Sequence, residues 1–303
     1  MPIEGDDMKG ILLVDKPGGM TSHDVVDQVR RAAGIRRVGH TGTLDPRATG
    51  LLVLCLGSAT RLSEQLTHLD KTYEGAMRLG VVTSTHDLDG EVLEETPVPA
   101  LDTAALQAVC DRFTGDLMQV PPMVSAVKVG GKRLYKMARQ GETVEREPRP
   151  ITVHAFEVLS YEPPQARIRV RCTSGTYVRT LCNDVGRELG CGATLASLKR
   201  TQVGSHSLDR AVPLDALRTP EDVKAHLVPI EEAVDLPVVV VRTPSRQKVV
   251  SGNTLQRRNL VEECPVREGW VQLTSEEGEL LALGLVQATP VEIRIHPKRV
   301  FAE

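Results

Sequence analysis

Aromatic residues are scarce in this chain of 303 residues, and they make up only 3% of it. The core must therefore be built from aliphatic side chains. A platform on which several aromatic rings stack successive bases, as in an RRM domain, is excluded. Each tyrosine in a polar context becomes more informative: Tyr73 lies among Lys, Thr and Glu, and Tyr177 lies among Gly, Thr and Arg.

Cysteine pairs with metal-binding spacing and long apolar runs are also lacking. The six cysteines show no C-x-x-C spacing, so we expect free thiols and no metal. No run approaches the roughly 18 consecutive apolar residues of a membrane helix. Residues 1–7 are acidic rather than basic and then apolar, which argues against a signal peptide. We therefore expect a cytoplasmic protein with no membrane association.

The chain has no overall excess of positive charge, since its net charge is −3 at pH 7. The distribution is uneven, however. Residues 30–47 hold five arginines against one acid, and residues 167–200 hold seven bases against two acids, whereas residues 84–116 hold eight acids against one arginine. Charge segregated in this way fits a binding site for a polyanion on one face, although such blocks can also simply solvate surface helices.

The densest group of special residues lies between residues 38 and 52. Pro46 biases Asp45 towards an extended backbone, so the carboxylate sits on a bent, pre-set loop. The glycines at 39, 42 and 50 allow positive φ angles or close approach of a ligand. An ordinary Asp-Pro turn between a helix and a strand is the simpler interpretation of the dipeptide taken alone.

Hydrophobic periodicity predicts an alternation of strands and helices. We expect Ser22 to cap a helix that ends at Gly34, Asp102 to cap a helix over 103–113, and Tyr177 and Arg179 to diverge around the start of a helix. The predicted strands are 10–14, 51–56, 72–79, 91–93, 151–161, 166–172 and a small β-rich module after residue 236. The predicted helices are 22–33, 59–69, 103–113, a basic helix over 132–140 and 176–189. Arg167, Arg169 and Arg171 line one face of their strand, where they are solvated or, beside a polyanion site, contact phosphates.

Five motifs in order resemble a known family. They are Asp15-Lys16-Pro17 with Thr21-Ser22; Gly39-His40-Thr41-Gly42-Thr43-Leu44-Asp45-Pro46 with Ala48-Thr49-Gly50-Leu51-Leu52; Lys71-Thr72-Tyr73; Pro121-Pro122-Met123 with Ser125-Ala126 and Lys128; and Gly175-Thr176-Tyr177-Val178-Arg179-Thr180-Leu181. Together they span most of residues 10–200. The sequence resembles the bacterial pseudouridine synthases of the TruB family, which modify the T-loop uridine at position 55 of tRNA.

The resemblance implies an α+β protein with the pseudouridine synthase fold: a large, mixed, mostly antiparallel sheet flanked by helices. It implies a catalytic domain over residues 8–235 with a thumb-like insertion at about 121–148. Residues 236–303 would form a PUA-like RNA-binding domain. From composition alone, other small β modules fit this last segment equally well.

The resemblance also assigns roles to particular residues. Asp45 is expected to be the nucleophile, Arg179 its cationic partner, and Tyr73 the ring under the flipped uracil and the proton acceptor. His40 is expected to fill the space left by the flipped base, or else to bond within its own loop. The remaining expected substrate-binding residues are Tyr177, Leu198, Lys16, Lys128 and Lys132.

The implied reaction is an isomerisation that needs no redox step, metal or other cofactor. Attack of the aspartate on C1′ of the ribose and elimination through a glycal both remain open. The expected partner is the T-arm stem-loop of tRNA, bound by a monomer without a protein partner. Three alternatives remain: a guide-RNA-dependent catalytic subunit, a non-catalytic tRNA-folding chaperone, and a glycosidase using Asp45 with Asp87 or Asp89, which the few aromatics disfavour.

Overall fold

The structure is a computed structural model that describes residues 8–125, 128–134, 137, 144–288 and 292–302, without the side chains of residues 128, 129, 132 and 133. The strands are β1 Gly10–Lys16, β2 Val38–His40, β3 Thr49–Leu56, β4 Lys71–Leu79, β5 Val81–Thr83, β6 Val92–Glu95, β7 Gly115–Gln119, β8 Lys128–Val129, β9 Lys132–Arg133, β10 Arg149–Glu162, β11 Gln165–Cys172, β12 Ala193–Val203, β13 His206–Ser207, β14 Val212–Pro213, β15 Leu227–Val228, β16 Val238–Val240, β17 Leu255–Gln256, β18 Glu268–Thr274, β19 Leu280–Ala288 and β20 Ile293–Val300. The α-helices are α1 Ser22–Ala33, α2 Ser63–His68, α3 Thr103–Asp111, α4 Val178–Glu188, α5 Pro220–Ala225 and α6 Arg246–Val250. Short 3-10 helices cover Gly57–Leu62, Leu208–Arg210, Leu214–Ala216, Ile230–Glu232, Thr243–Ser245 and Arg257–Asn259.

A mixed sheet of eleven strands forms the body of the protein. Its main order is β14-β1-β3-β12-β4-β11-β10-β7, with β2 added to β3, β13 to β12 and β15 to β1. Only β1/β14 and β3/β12 pair in parallel in this sheet, and the other pairs are antiparallel. The parallel contact between β3 and β12 brings residues 49–50 next to residues 199–200 at the centre of the sheet.

The half of the sheet that contains β1 and β3 is covered on both faces. On one face α1 packs over residues such as Leu52 and Leu54, and on the other face Leu51 and Val53 pack into a second cluster. Burial on both sides is why Leu51–Leu56 reads in the sequence as a continuous apolar run rather than as an alternating one.

The other half, β4, β11, β10 and β7, is covered on one face only. Alternate residues of β11 are buried under α3 and α4, while Arg167, Arg169 and Arg171 are exposed on the opposite face. In the pairing of β11 with β4, Arg169 lies opposite Glu74, and Tyr73 is the next residue of β4. Because neighbouring residues of a strand point to opposite faces, Tyr73 lies on the other face of the sheet. Arg169 forms ion pairs with Glu74 and Glu157. The arginine row therefore lies on the face of the sheet opposite Tyr73, where the solvated alternative fits the structure.

Two helix starts differ from the sequence-based prediction, and one matches it. Thr21, not Ser22, is the N-cap of α1, where its hydroxyl accepts from the Asp24 amide in a capping box. Asp102 caps α3 as predicted. The α4 helix begins at Val178 rather than Thr176, because Tyr177 is extended with φ −101° and ψ 103°.

The segment after Gly131 is also not the uniform helix that was predicted over 132–140. Lys132 and Arg133 form a two-stranded hairpin with Lys128 and Val129. Leu134 and Met137 are helical and buried, and the rest of that prediction lies outside the described residues.

The chain after residue 236 forms a separate sheet with the order β16-β18-β19-β20-β17 and its own apolar cluster. The module is β-rich, as predicted. Leu280 and Leu283 do not face that cluster but pack with Ile11 and Leu13 of β1. The module is thus docked on the central sheet through a shared core. Its RNA-binding role and the boundary at 235/236 stay predictions.

All six cysteines are free thiols, and five of them are buried. Within the described residues, no helix has the length and hydrophobicity needed to cross a membrane.

Candidate active site

The loop that carries Asp45, residues 41–48, is held from below by side chains of α1 and β1. The Ser22 hydroxyl accepts from the Leu44 amide at 2.8 Å and donates to the Leu44 carbonyl at 3.1 Å. The Ala48 amide donates to the Asp45 carbonyl at 3.0 Å and closes the turn. Ser22 therefore fixes the loop, while the preceding residue, Thr21, caps the helix.

Lys16 supports the same loop from inside the protein. Its side chain is completely buried, and its ammonium donates to the carbonyls of Ala48 at 2.7 Å, Pro46 at 3.1 Å and Pro17 at 2.9 Å. Desolvation lowers the pKa of Lys16 to about 8, although the charge of Asp45 opposes the shift. Lys16 was predicted to bind the substrate, and in this position it can act on a substrate only through the loop it holds.

A cavity of about 440 Å³ opens above this loop. Six of the predicted site residues line it, although they come from four separate parts of the sequence. They are His40, Asp45, Tyr73, Tyr177, Arg179 and Leu198. The structure thus brings together most of the site that the motifs predicted.

Asp45 shares one guanidinium with a second carboxylate. Nη1 of Arg179 lies 3.1 Å from Oδ2 of Asp45 and 3.0 Å from Oδ2 of Asp87. The Arg179 side chain is only 4% exposed, whereas that of Asp45 is 46% exposed. The cation is therefore fixed inside the protein, and the carboxylate of Asp45 faces the open cavity.

The surroundings make Asp45 harder to ionise than a free carboxyl group. Desolvation raises its pKa above the ordinary value, Arg179 opposes this, and the negative charge of Asp87 adds to the increase. The sequence led us to expect that Arg179 could lower the pKa. Sharing of the guanidinium with Asp87 weakens that effect, and desolvation dominates.

Tyr177 and Arg179 meet rather than diverge. The guanidinium carbon of Arg179 lies 5.7 Å from the centroid of the Tyr177 ring, within the range of a cation–π contact. The expectation of divergence assumed helical spacing, but Tyr177 is extended and precedes the helix. The amide side chain of Gln119 secures this position, because it accepts from the Tyr177 amide at 2.8 Å and donates to its carbonyl at 3.1 Å.

Tyr73 lies at the rear of the cavity and is 8% exposed. Desolvation raises the pKa of its phenol, and the positive charge of Arg200 opposes the increase. Arg200 is the direct antiparallel partner of Tyr73 in the pairing of β12 with β4. The phenol therefore stands beside a buried cation.

Sequence analysis did not place Arg200 or Lys71 in the site, and it paired Asp87 with Asp45 only in the glycosidase alternative. Only the fold brings Asp87 to Arg179. His86, which precedes Asp87, has a φ of 63°, the only positive value at a described non-glycine residue. Lys71 belongs to the quoted motif Lys71-Thr72-Tyr73, so a signal existed for it, whereas none of the quoted motifs contains Arg200.

The expected roles of His40, Lys128 and Lys132 stay predictions. His40 lines the cavity with a buried Nδ1 that has no hydrogen-bond partner. Desolvation lowers its pKa and favours the neutral ring. The side chains of Lys128 and Lys132 lie outside the description. Among the described residues, no group of three or more His, Cys, Asp or Glu side chains is placed to hold a metal ion.

Chemically, the cavity offers one carboxylate that can act as a nucleophile or base, and a phenol. Two family models match the chain. The model of the TruB family pseudouridylate synthase N-terminal domain covers residues 30–178, and that of the tRNA pseudouridylate synthase B C-terminal domain covers residues 179–235. The chain belongs to the TruB family.

Curated relatives agree with the TruB assignment. The tRNA pseudouridine synthase B of Opitutus terrae is 51% identical over 75% of this chain and 95% of its own length. That of Burkholderia lata is 47% identical over 82% of this chain and 78% of its own. The family predicted from the five motifs is confirmed, and with it the prediction of an enzyme of the isomerase class.

Solved structures confirm the predicted TruB fold class. The protein of a Cbf5-Nop10-Gar1 complex superposes with a TM-score of 0.76 over 99% of this chain and 87% of its own, at 27% identity. The protein of an archaeal box H/ACA sRNP Nop10-Cbf5 complex gives 0.74 over 96% and 86%, at 25% identity.

Proposed function

We propose that this protein isomerises the T-loop uridine at position 55 of tRNA to pseudouridine, with Asp45 as the reacting carboxylate. The observation that carries the proposal is the contact of 3.1 Å between Asp45 and the buried guanidinium of Arg179 at the wall of a base-sized cavity. Relatives named tRNA pseudouridine synthase B, at 47 to 51% identity, support tRNA as the substrate.

The uridine must leave its stack to reach Asp45, because a base inside a folded T-loop is out of reach of the cavity. Flipping costs a few kcal/mol. Stacking on an aromatic ring returns about 1–3 kcal/mol per base. In this proposal Tyr73 supplies that ring, Leu198 and Tyr177 form the walls, and His40, neutral and at the rim of the loop, occupies the space that the base vacates.

Asp45 then acts on the ribose, either at C1′ or at the proton of C2′, and the bond between N1 and C1′ breaks. The uracil turns so that C5 faces C1′, and a C5–C1′ bond forms as the bond to Asp45 breaks or, on the glycal route, as the proton returns to C2′. The proton of C5 then passes to the oxygen of Tyr73 while the hydroxyl gives its own proton to solvent, and N1 takes up a proton from solvent. Arg179 keeps the carboxylate of Asp45 oriented and opposes the increase of its pKa, which favours the ionised form. No atom is gained or lost in the overall reaction.

A stand-alone enzyme acting on tRNA is favoured over the two RNA-related alternatives. The structural neighbours taken from H/ACA complexes are only 25 to 27% identical to this chain. A chaperone without turnover would not need a buried arginine paired with two carboxylates beside a cavity. The proposal includes action as a monomer in the cytoplasm, with the module after residue 236 as an additional RNA contact.

The test uses a T-arm RNA that carries tritium at C5 of the target uridine. The wild-type protein should release tritium, and Asp45→Asn should release none while it keeps its affinity for the RNA. Asp184→Asn is a matched control, because this partly buried aspartate pairs with Arg187 outside the cavity lining. Substantial turnover by Asp45→Asn would remove Asp45 from its role, and an unmodified uridine with wild-type protein would refute the function.

A further inference from the structure

Two buried cations, Arg200 and Lys71, form a part of the cavity lining that is here called the floor. Arg200 is 1% exposed and Lys71 is 6% exposed, and both line the cavity with Tyr73. Within the described residues, neither side chain takes part in an ion pair. Their bonds go to main-chain carbonyls instead: Arg200 donates to Leu51 at 2.7 Å and Gly42 at 2.9 Å, and Lys71 donates to Thr67 at 2.8 Å and Leu69 at 2.6 Å.

The positive charge of this floor is therefore not neutralised by a protein carboxylate in contact with it. Two carbonyl bonds use two of the five N–H groups of a guanidinium and two of the three of an ammonium. Carbonyl dipoles solvate a cation but leave its net charge. The mutual effect is visible in Lys71, whose pKa is lowered to about 8 by desolvation and then by the charge of Arg200.

Gly42 brings the reacting loop close to these cations. A Cβ at this position would lie 3.3 Å from Nη1 of Arg200 and 3.5 Å from Cε of Lys71. A side chain here would stand between the loop and the floor. The absence of one leaves both cations facing the space beside Asp45.

The side chains around Arg179 carry a net negative charge before the reaction, since its guanidinium is shared between Asp45 and Asp87. When the bond between N1 and C1′ breaks, its electron pair stays on the uracil, and the ring becomes an anion with its charge spread over N1, O2 and O4. Asp45 is uncharged at this stage, either as an ester at C1′ or after taking the C2′ proton. Arg179 is then still paired with Asp87, so its charge is not free to stabilise the ring anion.

We propose that Arg200 and Lys71 are catalytic residues that bind the uracil ring anion after its bond to the ribose has broken and hold it while it turns. The inference rests on the proposed function and adds the group that stabilises the leaving base. The electron pair that the ring carries away from C1′ returns to C1′ from C5, the C5 proton leaves to Tyr73, and N1 takes up a proton. The floor itself exchanges neither electrons nor protons.

A change in leaving-group strength separates this role from structural support. The probes are two T-arm RNAs, one with uridine and one with 5-fluorouridine at the target position. Fluorine withdraws electrons and stabilises the ring anion without help from the floor. Single-turnover loss of the starting nucleoside is measured by quenching, nuclease digestion and chromatography.

Arg200→Met should slow the reaction of uridine by about 10²- to 10³-fold, the usual loss for one preorganised donor at a developing charge. With 5-fluorouridine the loss should be much smaller, less than about tenfold. Arg200→Lys, which keeps the charge, should fall between wild type and Arg200→Met. Equal losses on both RNAs would reduce Arg200 to a scaffold residue and overturn the proposal.

If Arg200→Met does not fold, Lys71→Met carries the same comparison, because Lys71 is the first residue of β4 and its ammonium is held by the carbonyls of Thr67 and Leu69 rather than at the centre of the sheet. Arg169→Met is the matched control, since Arg169 is on the exposed back of the same sheet and should change neither rate. If the wild-type protein converts uridine but the variants lose equal rate on both RNAs, the anion site is rejected and the proposed function is not. Lack of wild-type turnover would reject the proposed function.

Discussion

Arg179 holds Asp87 at 3.0 Å, slightly closer than the 3.1 Å that separates it from Asp45. The guanidinium is therefore a bridge between two carboxylates rather than the partner of one. Asp87 is itself fixed, since Oδ1 accepts from the Thr85 hydroxyl and from the Asp89 amide. The ionisation of Asp45 therefore depends on Asp87 as well as on Arg179.

Arg179→Ala should reduce the rate of isomerisation far more than the affinity for RNA. The substitution removes the only cation in direct ion-pair contact with Asp45 among the described residues and leaves two carboxylates facing each other. Arg187→Ala, on the same helix but highly exposed, should leave the rate unchanged. Single-turnover rates and filter-binding affinities measure the two effects. A loss confined to affinity would make Arg179 a phosphate contact instead.

Asp87→Asn should move the acidic limb of the rate profile to lower pH. Activity requires ionised Asp45, whose raised pKa places this limb above the ordinary value of 3.8 for a carboxyl group. The negative charge of Asp87 contributes to that increase, so its removal lowers the pKa of Asp45. The maximal rate should fall at the same time, because Arg179 loses its ion pair with Asp87 and keeps only its contacts with Asp45 and the Val124 carbonyl. A limb that stays in place or moves to higher pH would contradict this account.

Asp45→Asn should stabilise the protein at neutral pH. Because the pKa of Asp45 is raised in the folded state, the folded protein binds its proton more readily than the unfolded chain does. Ionisation of this residue thus costs stability as pH rises through the window between the unfolded and the folded pKa. Thermal unfolding should show a higher Tm for Asp45→Asn at pH 7 and no gain at pH values below the unfolded pKa. A lower Tm at pH 7 would contradict the shift.

Gly50→Ala should destabilise the protein more than Gly278→Ala does. Both substitutions strain the backbone at a positive φ, but only Gly50→Ala also causes a steric clash. Gly50 has a φ of +94°, and a Cβ there would lie 2.3 Å from the carbonyl oxygen of Arg200. Gly278, with a φ of +89° and no neighbour within 4 Å, is the control. The positive φ costs about 1–2 kcal/mol in either variant. Overpacking adds about 1–3 kcal/mol for Gly50→Ala only. Denaturant titrations of both variants measure the difference, and equal losses would show that β3 and β12 can separate without cost.

The parts of the site that could be predicted from the sequence are those written in short motifs. Asp45 on its proline turn and Arg179 after Gly-Thr-Tyr-Val were identified in advance, and both line the cavity. Both residues lie in local backbone features, a proline turn and the start of a helix after a glycine, that can be recognised in the sequence. The strands of the sheet were predicted for the same reason, since their alternation or full burial is a local pattern.

The rest depends on contacts between distant segments. Asp87 sits in a loop whose sequence fits an ordinary turn, and only the packing of that loop against Leu195 of β12 brings it to Arg179. The arginine row on β11 could not be assigned to a face, because periodicity predicts which residues share a side but not which side the site occupies. Lys16 illustrates a third case: the family resemblance implied a substrate contact, but its ammonium donates to carbonyls of the loop that carries Asp45.

The parallel pairing of β3 with β12 has a consequence for protein synthesis. Arg200 and the Leu51 carbonyl it binds are 149 residues apart in the chain, and closing so long a loop is slow compared with forming local structure. While the ribosome is still making the segment before Arg200, the nascent chain has its reacting aspartate but neither the strand that completes the middle of the sheet nor the cation below the loop. The proposed catalytic residues can therefore come together only after the ribosome has synthesised Arg200.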